Sequence, residues 1–374
     1  YYNVGSFIMK KHCVFFLTSL NQGGAETYML RFLGFSCKKN HNTVWCTSGA
    51  GGDLLGEYKK CADELVFKRL GYFSLGGYIY LYYWFKKNKP DTVCDFAGNF
   101  AGIVMLVAYL AGVKNRIAQY RGASNHFKET KGRLLYNAIV NRLVYHFATK
   151  ILSNSEAAFD FFFPNHRNSR KYFKVIPNGI PDEYFIIDSD SRQRKRVELG
   201  IPDGAFVVGH TGRYNYAKNH ETIIKVAKEL CGKYDDIYFV LAGKGTDKEL
   251  RQAVDEAGLT GKVLLLGYRR DVKELLAAFD LYYFPSVTEG QPNALQEAMA
   301  RGVPVLASDI APIKECVPPD FRQKLVSPTD VDTASHRMEQ LYHNRDMLKE
   351  YVLTDWARNM YSENERFKQM LEEL

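Results

Sequence analysis

No apolar stretch in this 374-residue sequence is long enough to cross a bilayer. The longest, 101–113, falls short of the ~18–20 residues required, so no transmembrane helix is expected. The seven cysteines (13, 37, 46, 61, 94, 231 and 316) are odd in number, scattered and never in a C-x-x-C pair. That excludes a zinc ribbon and a disulfide framework, and implies a reducing cytosol. Histidines 126, 146, 166, 210 and 220 show no H-E-x-x-H or comparable ligand spacing, so no metal is expected. Helix-turn-helix, zinc-finger and RNA-binding aromatic motifs are also missing, which places nucleic acid last among partners. Residues 1–8 precede Met9-Lys10-Lys11, which reads as a natural start. They lack the charged start and long apolar core of a secretory signal and are expected to be a remnant leader.

What is present describes a globular chain of about two domains: 46% hydrophobic and 25% charged residues, over a length too great for one compact core. The net charge of +8 conceals a split. Residues 1–178 carry 24 Lys and Arg against 10 Asp and Glu, a balance of +14, and the remainder stands at −6. Such asymmetry marks the half that meets an anionic surface, here a phospholipid leaflet or a diphosphate-linked lipid.

Short apolar runs alternate with helical periodicities along the whole chain. Strands are expected at 12–17, 43–47, 64–67, 92–96, 116–120, 151–154 and 174–176, then at 206–210, 238–242, 263–266, 281–285 and 305–307. Helical patterns lie between them, as at 25–38, 78–87, 101–111 and 133–148. This alternation implies an α/β protein with parallel sheets covered by helices on both faces. The turn residues Pro177-Asn178-Gly179-Ile180-Pro181 mark the junction, giving domains over 9–178 and 179–352.

The most informative segment is 288–308, TEGQPNALQEAMARGVPVLAS. It follows the apolar run 281–285, and Gly290 and Pro292 then open a helix. A helix start presents unpaired backbone N–H groups, a ready site for phosphate. Glu289 sits on the loop above them and Glu297 inside the helix, so one carboxylate can face a sugar while the other accepts from ribose hydroxyls. The order of strand, E-G-x-P, helix and E-A-M-A-x-G-V-P-V resembles the signature of the family 4 retaining glycosyltransferases. That resemblance implies a GT-B fold, two Rossmann-like domains facing a cleft, with a last helix near 353–374 packing back on the first domain. It also implies a nucleotide-sugar donor and no cofactor.

Further loops fit the same resemblance. His210-Thr-Gly-Arg213-Tyr-Asn-Tyr-Ala-Lys218 follows a strand, and Arg213 and Lys218 match the family's pair of cations on the leaving diphosphate. Two fixed cations suit a group that gains charge as the glycosidic bond breaks. Asn21-Gln22-Gly23-Gly24-Ala25-Glu26 resembles the family's Gly-Gly loop over the donor phosphate, with Gly23 and Gly24 allowing close backbone approach. Gly267-Tyr268-Arg269-Arg270-Asp271 resembles the loop against which the nucleobase sits, bringing Tyr268 and Arg269 into the donor set with Gly290, Asn293, Ala294, Leu295 and Glu297. Gly243-Lys244-Gly245 lacks the rest of a dinucleotide fingerprint. Asp188-Ser189-Asp190 and the following Arg192, Arg194, Lys195 and Arg196 read as a solvated, charge-balanced linker.

The acceptor side departs from the family. Where many members carry a histidine, this chain has Tyr120-Arg121-Gly122, and arginine cannot serve as a base at neutral pH. Arg121 is a candidate contact for an acceptor phosphate or the donor sugar, His126 is the nearest titratable alternative, and Asp95 ends the preceding strand. The aromatic run 78–85 followed by Lys86, Lys87 and Lys89 suits an anionic membrane surface.

The sequence therefore leads to a retaining, metal-independent hexosyltransferase with Glu289, Arg213 and Lys218 at its catalytic centre. It would move a hexose or N-acetylhexosamine from a nucleoside-diphosphate donor, UDP-linked by expectation. The acceptor would be a glycan or a polyprenyl-diphosphate-linked glycan in cell-surface polysaccharide synthesis. The expected location is the cytoplasm, peripheral to the inner face of the plasma membrane. The alternatives are a nucleotide-sugar 2-epimerase of similar fold and a non-catalytic basic binding protein.

Overall fold

A computed structural model of the chain describes residues 10–21, 23–71, 74–122, 130–188 and 190–374. The chain divides into two compact units, one running to Pro177 and including Arg366–Leu374, the other Asn178–Glu365. Each is built on a parallel sheet.

The first sheet contains β1 (Lys11–Leu17), β2 (Asn40–Cys46), β3 (Glu64–Phe67), β4 (Thr92–Asp95), β5 (Asn115–Tyr120), β6 (Lys150–Ser153) and β7 (Tyr172–Val175), in the order β3-β2-β1-β4-β5-β6-β7. Its helices are α1 (Gly24–Ser36), α2 (Leu55–Cys61), α3 (Leu75–Asn88), α4 (Gly102–Ala111), α5 (Lys131–Phe147) and α6 (Glu156–Phe162). The period of two along β1 sends Val14 and Phe16 to one face, with Leu81, Phe85, Met105 and Val144. Cys13, Phe15 and Leu17 go to the other, with Tyr28 and Phe32. Burial on both faces is why these strands read as continuous apolar runs.

The second sheet contains β8 (Phe206–Thr211), β9 (Ile237–Ala242), β10 (Val263–Gly267), β11 (Leu281–Phe284) and β12 (Val305–Ala307), in the order β10-β9-β8-β11-β12. Its helices are α7 (Ser191–Glu198), α8 (His220–Lys233), α9 (Thr246–Glu249), α10 (Arg251–Glu256), α11 (Val272–Ala277), α12 (Asn293–Ala300), α13 (Ala311–Cys316), α14 (Val331–His343) and α15 (Thr354–Tyr361).

Two expectations need correction. The last helix is not continuous over 353–374: α15 stops at Tyr361 and α16 (Glu363–Glu373) starts afresh. The break falls where Ile180 takes over the backbone bonding, its N–H donating to the Tyr361 carbonyl at 2.7 Å and its carbonyl accepting from Glu363. Beyond it, Phe367 and Met370 enter the first core, and the Phe367 ring lies 5.5 Å from those of Tyr28, Phe32 and Phe35. Burying each of these two side chains stabilises by about 1.5–3 kcal/mol. The basic run after Asp190 is likewise no solvated linker. It forms α7, in which Arg196 is 4% exposed and bridges the Asp280 carboxylate (2.6 Å) and the carbonyls of Ala205 and Ala278. The pairing of a buried guanidinium with Asp280 makes its burial tolerable.

Candidate functional site

In the second sheet the chain runs outward from β8 through β9 to β10, then returns to place β11 on the other side of β8. The point where the order reverses lies between β8 and β11, and loops leaving the carboxyl ends of strands at such a point form the usual ligand crevice of an open α/β sheet. The loop after β8 carries Arg213 and Lys218, and the loop after β11 carries Glu289. Lys218 Nζ donates to Glu289 Oε1 at 2.6 Å, with the two side chains only 16% and 11% exposed. The ammonium also lies 4.8 Å from the Phe284 ring centroid. Arg213 is exposed on the same loop.

Lys218 is held from both sides. Its backbone N–H donates to the Asn215 side chain at 3.1 Å, ending a 3-10 turn, Tyr216–Lys218. Asn219 follows at φ 53, a left-handed conformation asparagine tolerates better than most residues. Its side-chain amide donates to the carbonyls of Pro285 (3.1 Å) and Pro328 (2.6 Å) and accepts from Thr222 (3.0 Å). Val287 N–H donates to the Ala217 carbonyl at 2.9 Å, joining the two loops directly. Sequence reasoning passed over Asn215 and Asn219; two asparagines bracketing a lysine between a strand and a helix are the signal that would have found them.

Beneath the loop lies a histidine pair. The His210 ring, fully buried on β8, bonds the Tyr283 carbonyl through Nδ1 at 2.9 Å and meets His220 edge-on at 5.0 Å. Burial, reinforced by the neighbouring His220, holds the His210 pKa well below 6.5. Burial likewise lowers His220 to about 4, partly offset by the Gly212 backbone. Both rings are neutral at physiological pH, so Lys218 and Arg213 supply the positive charge here. Gly243, at φ 151, lies where a side chain would run into the Gly212 carbonyl. It is a glycine because two loops pass in contact.

Among the remaining donor candidates, Gly290 and Asn293 are partly exposed, and the Asn293 side chain accepts from Asn178 at 2.8 Å. Pro292 caps α12. Among the described residues, the N–H groups of Ala294 and Leu295 have no backbone carbonyl partner. Leu295 is fully buried, so its offer to a ligand is that N–H. Glu297 is partly buried on α12. Tyr268 is 52% exposed, whereas the Arg269 guanidinium is engaged by Asp271 and Glu198, each at 2.7 Å, with Lys195 on the same carboxylates. Arg269 and then Lys195 hold the Asp271 carboxyl far below the usual carboxylate range.

In the first sheet the reversal lies between β1 and β4. Gly23 caps α1 in the loop after β1, and the Glu26 side chain folds back against it, while nothing crowds Gly24. Asp95 ends β4, 2% exposed, accepting from Ala97 N–H at 2.7 Å. Burial pushes its pKa up to about 7. The Arg121 guanidinium, after β5, lies 4.0 Å above the Tyr28 ring and 5.7 Å from Phe96. His126 lies outside the described residues.

Two family models match the chain in tandem: glycosyltransferase family 4 over residues 22–184 and glycosyl transferases group 1 over residues 191–354. EpsF of Bacillus subtilis, a glycosyltransferase by name, is 30% identical over 226 residues, 60% of this chain, and the matched stretch spans 59% of that relative. The UDP-Gal:alpha-D-GlcNAc-diphosphoundecaprenol alpha-1,3-galactosyltransferase of Escherichia coli is 28% identical over 68% of this chain and 67% of its own. Among solved structures, Anabaena HepE in complex with UDP superposes with a TM-score of 0.82 at 21% identity, covering 96% of this chain and 98% of HepE. This last likeness is one of fold, the GT-B architecture.

Proposed function

For a chain that belongs to the family 4 glycosyltransferases, we propose retaining, metal-independent transfer of a hexose or N-acetylhexosamine from a nucleoside-diphosphate sugar. The observation that carries this reading is the Lys218–Glu289 pair at the reversal between β8 and β11, beside the exposed Arg213. A diphosphate at this point takes Arg213 and Lys218 as counter-ions and the free N–H groups of Ala294 and Leu295 as donors. Lys218 then exchanges its carboxylate partner for phosphate, and Glu289 is released toward the hydroxyls of the sugar. The bond between the sugar C1 and the diphosphate oxygen breaks as the acceptor hydroxyl bonds to C1 on the same face, its proton passing to the departing phosphate oxygen. Charge accumulates on the diphosphate, where fixed cations stabilise it more than they stabilise the ground state.

UDP is the favoured nucleotide, since HepE is a UDP complex and the E. coli relative is named for a UDP-galactose donor. That relative's name also supports a diphosphopolyprenyl-linked glycan as acceptor, with the +14 first half facing an anionic membrane. A hydrolysis screen over UDP- and GDP-sugars, followed by NMR of the product anomer, tests the reading. Release of UDP from one sugar with retention is expected. No turnover of any donor, or inversion, would overturn it.

A further inference from the structure

The helices α3 and α4 pack side by side over one face of the first sheet and leave a groove of about 700 Å³ between them. It is lined by Leu75, Ile79 and Tyr83 of α3 and by Ile103, Val107 and Leu110 of α4. Leu75, Ile79 and Tyr83 recur every four residues and are 73%, 50% and 66% exposed, so one stripe of α3 turns outward to solvent. A stripe of this kind is costly to leave in water and marks a binding surface.

A second hollow, about 330 Å³, lies at the C-terminal ends of the same two helices, about one turn beyond Tyr83 and Leu110, where Lys86, Lys89 and Lys114 gather. The acid in its lining, Asp91, is already occupied by the His12 backbone N–H at 2.8 Å. All three lysines are exposed, and none forms an ion pair among the described residues. Lys89 holds φ 45 at the end of α3, where α4 ends on Gly112 at φ 89. A lysine thus occupies a left-handed cap that glycine adopts at lower cost. An apolar groove about one helical turn from three lysines that form no ion pair among the described residues, Lys86 resting only over the Tyr82 ring at 5.7 Å, has the polarity of one molecule with a hydrocarbon chain and an anionic head.

We propose that the α3–α4 groove binds an anionic phospholipid, an acyl chain along Leu75–Tyr83 and Leu110 and the phosphate at Lys86, Lys89 and Lys114. The lysine cluster lies where α3 and α4 end, at the N-terminal ends of the strands and opposite the end that carries the Gly23 and Asp95 loops, whereas Leu75 and Ile103 open the two helices at the carboxyl ends. The head-group end therefore anchors and does not hold the reacting acceptor. It rests on the membrane contact proposed above and is independent of the donor chemistry.

Co-sedimentation of the full chain with phosphatidylcholine vesicles, with and without phosphatidylglycerol, tests the site. Partition should require phosphatidylglycerol and fall about fivefold for each lysine removed in K86Q/K89Q/K114Q. The I79S/Y83S/L110S variant should lose binding while keeping its fold by circular dichroism. A diazirine-labelled phosphatidylglycerol should crosslink to residues within 75–114, and glycerol phosphate should not compete. Equal partition to neutral vesicles, partition of both variants within twofold of wild type, or competition by glycerol phosphate would overturn the proposal. Donor hydrolysis, measured on the same samples without lipid, should be equal in all three proteins. Its absence in the wild type would count against the transferase reading alone.

Discussion

Lys218 Nζ and Glu289 Oε1, 71 residues apart in sequence, meet at 2.6 Å across the strand reversal of the second sheet. On the proposed reading the pair preforms the site, each group held in place by the other until a ligand with its own negative charge replaces the carboxylate. With both side chains largely shielded, removing one partner leaves the other desolvated and unpaired.

Arg213 and Lys218 should therefore separate in stability though not in chemistry. Arg213→Ala should lower turnover by roughly 10²–10³ with an unchanged melting temperature, since an exposed cation contributes little. Lys218→Ala should lose as much turnover and also about 1–3 kcal/mol of stability. Urea unfolding of the Lys218→Ala, Glu289→Gln and double variants should reveal a favourable coupling between the two sites. Strict additivity would show that the pair does not hold the loops.

Most of the framework was legible in advance because parallel strands buried on both faces leave continuous apolar runs, as in Val14–Leu17 and Leu281–Phe284. The E-G-x-P loop was legible through its resemblance to the family signature over 288–308. Long-range charge compensation was not: nothing local to Arg196 announces Asp280, so a basic helix with a buried guanidinium read as a solvated linker. The shielding of Lys218 was hidden as well, since nothing in the sequence places Glu289 and Phe284 around its ammonium.

The histidine pair makes a statement about acid. His220 has its folded pKa lowered to about 4, so protons favour the unfolded chain once pH falls below about 6.5. Stability present at neutral pH should be lost between pH 6.5 and 4. Relative to His220→Gln, the wild type should lose roughly 2 kcal/mol between pH 7 and 5 in urea titrations. Parallel pH profiles for the two proteins would mean that His220 is not neutral in the folded state.

Asp95 carries the opposite sign. Its pKa is raised to about 7 by burial, so the folded chain favours the protonated form, and that stability is lost as pH rises from about 4 through 7. Asp95→Asn keeps an acceptor for the Ala97 N–H and should become progressively more stable than wild type over this range, by a few kcal/mol at pH 8. Calorimetry at pH 5 and 8 checks it, and a constant difference would contradict the burial of an ionisable carboxyl.

Turnover should be independent of divalent metal, because two protein cations take the place of one at the diphosphate. Rates in excess chelator should match rates in magnesium, aside from modest effects on product release. A complete loss restored by metal would show that Arg213 and Lys218 are insufficient.

The central claim, that the β8–β11 reversal is a diphosphate site, is tested most directly by titration calorimetry with UDP. The wild type should bind in the absence of metal, Arg213→Ala should bind at least tenfold more weakly at unchanged melting temperature, and Glu289→Gln should bind as well as or better than wild type because Lys218 is freed. Equal UDP affinity for wild type and folded Arg213→Ala, together with weaker binding to Glu289→Gln, would contradict it.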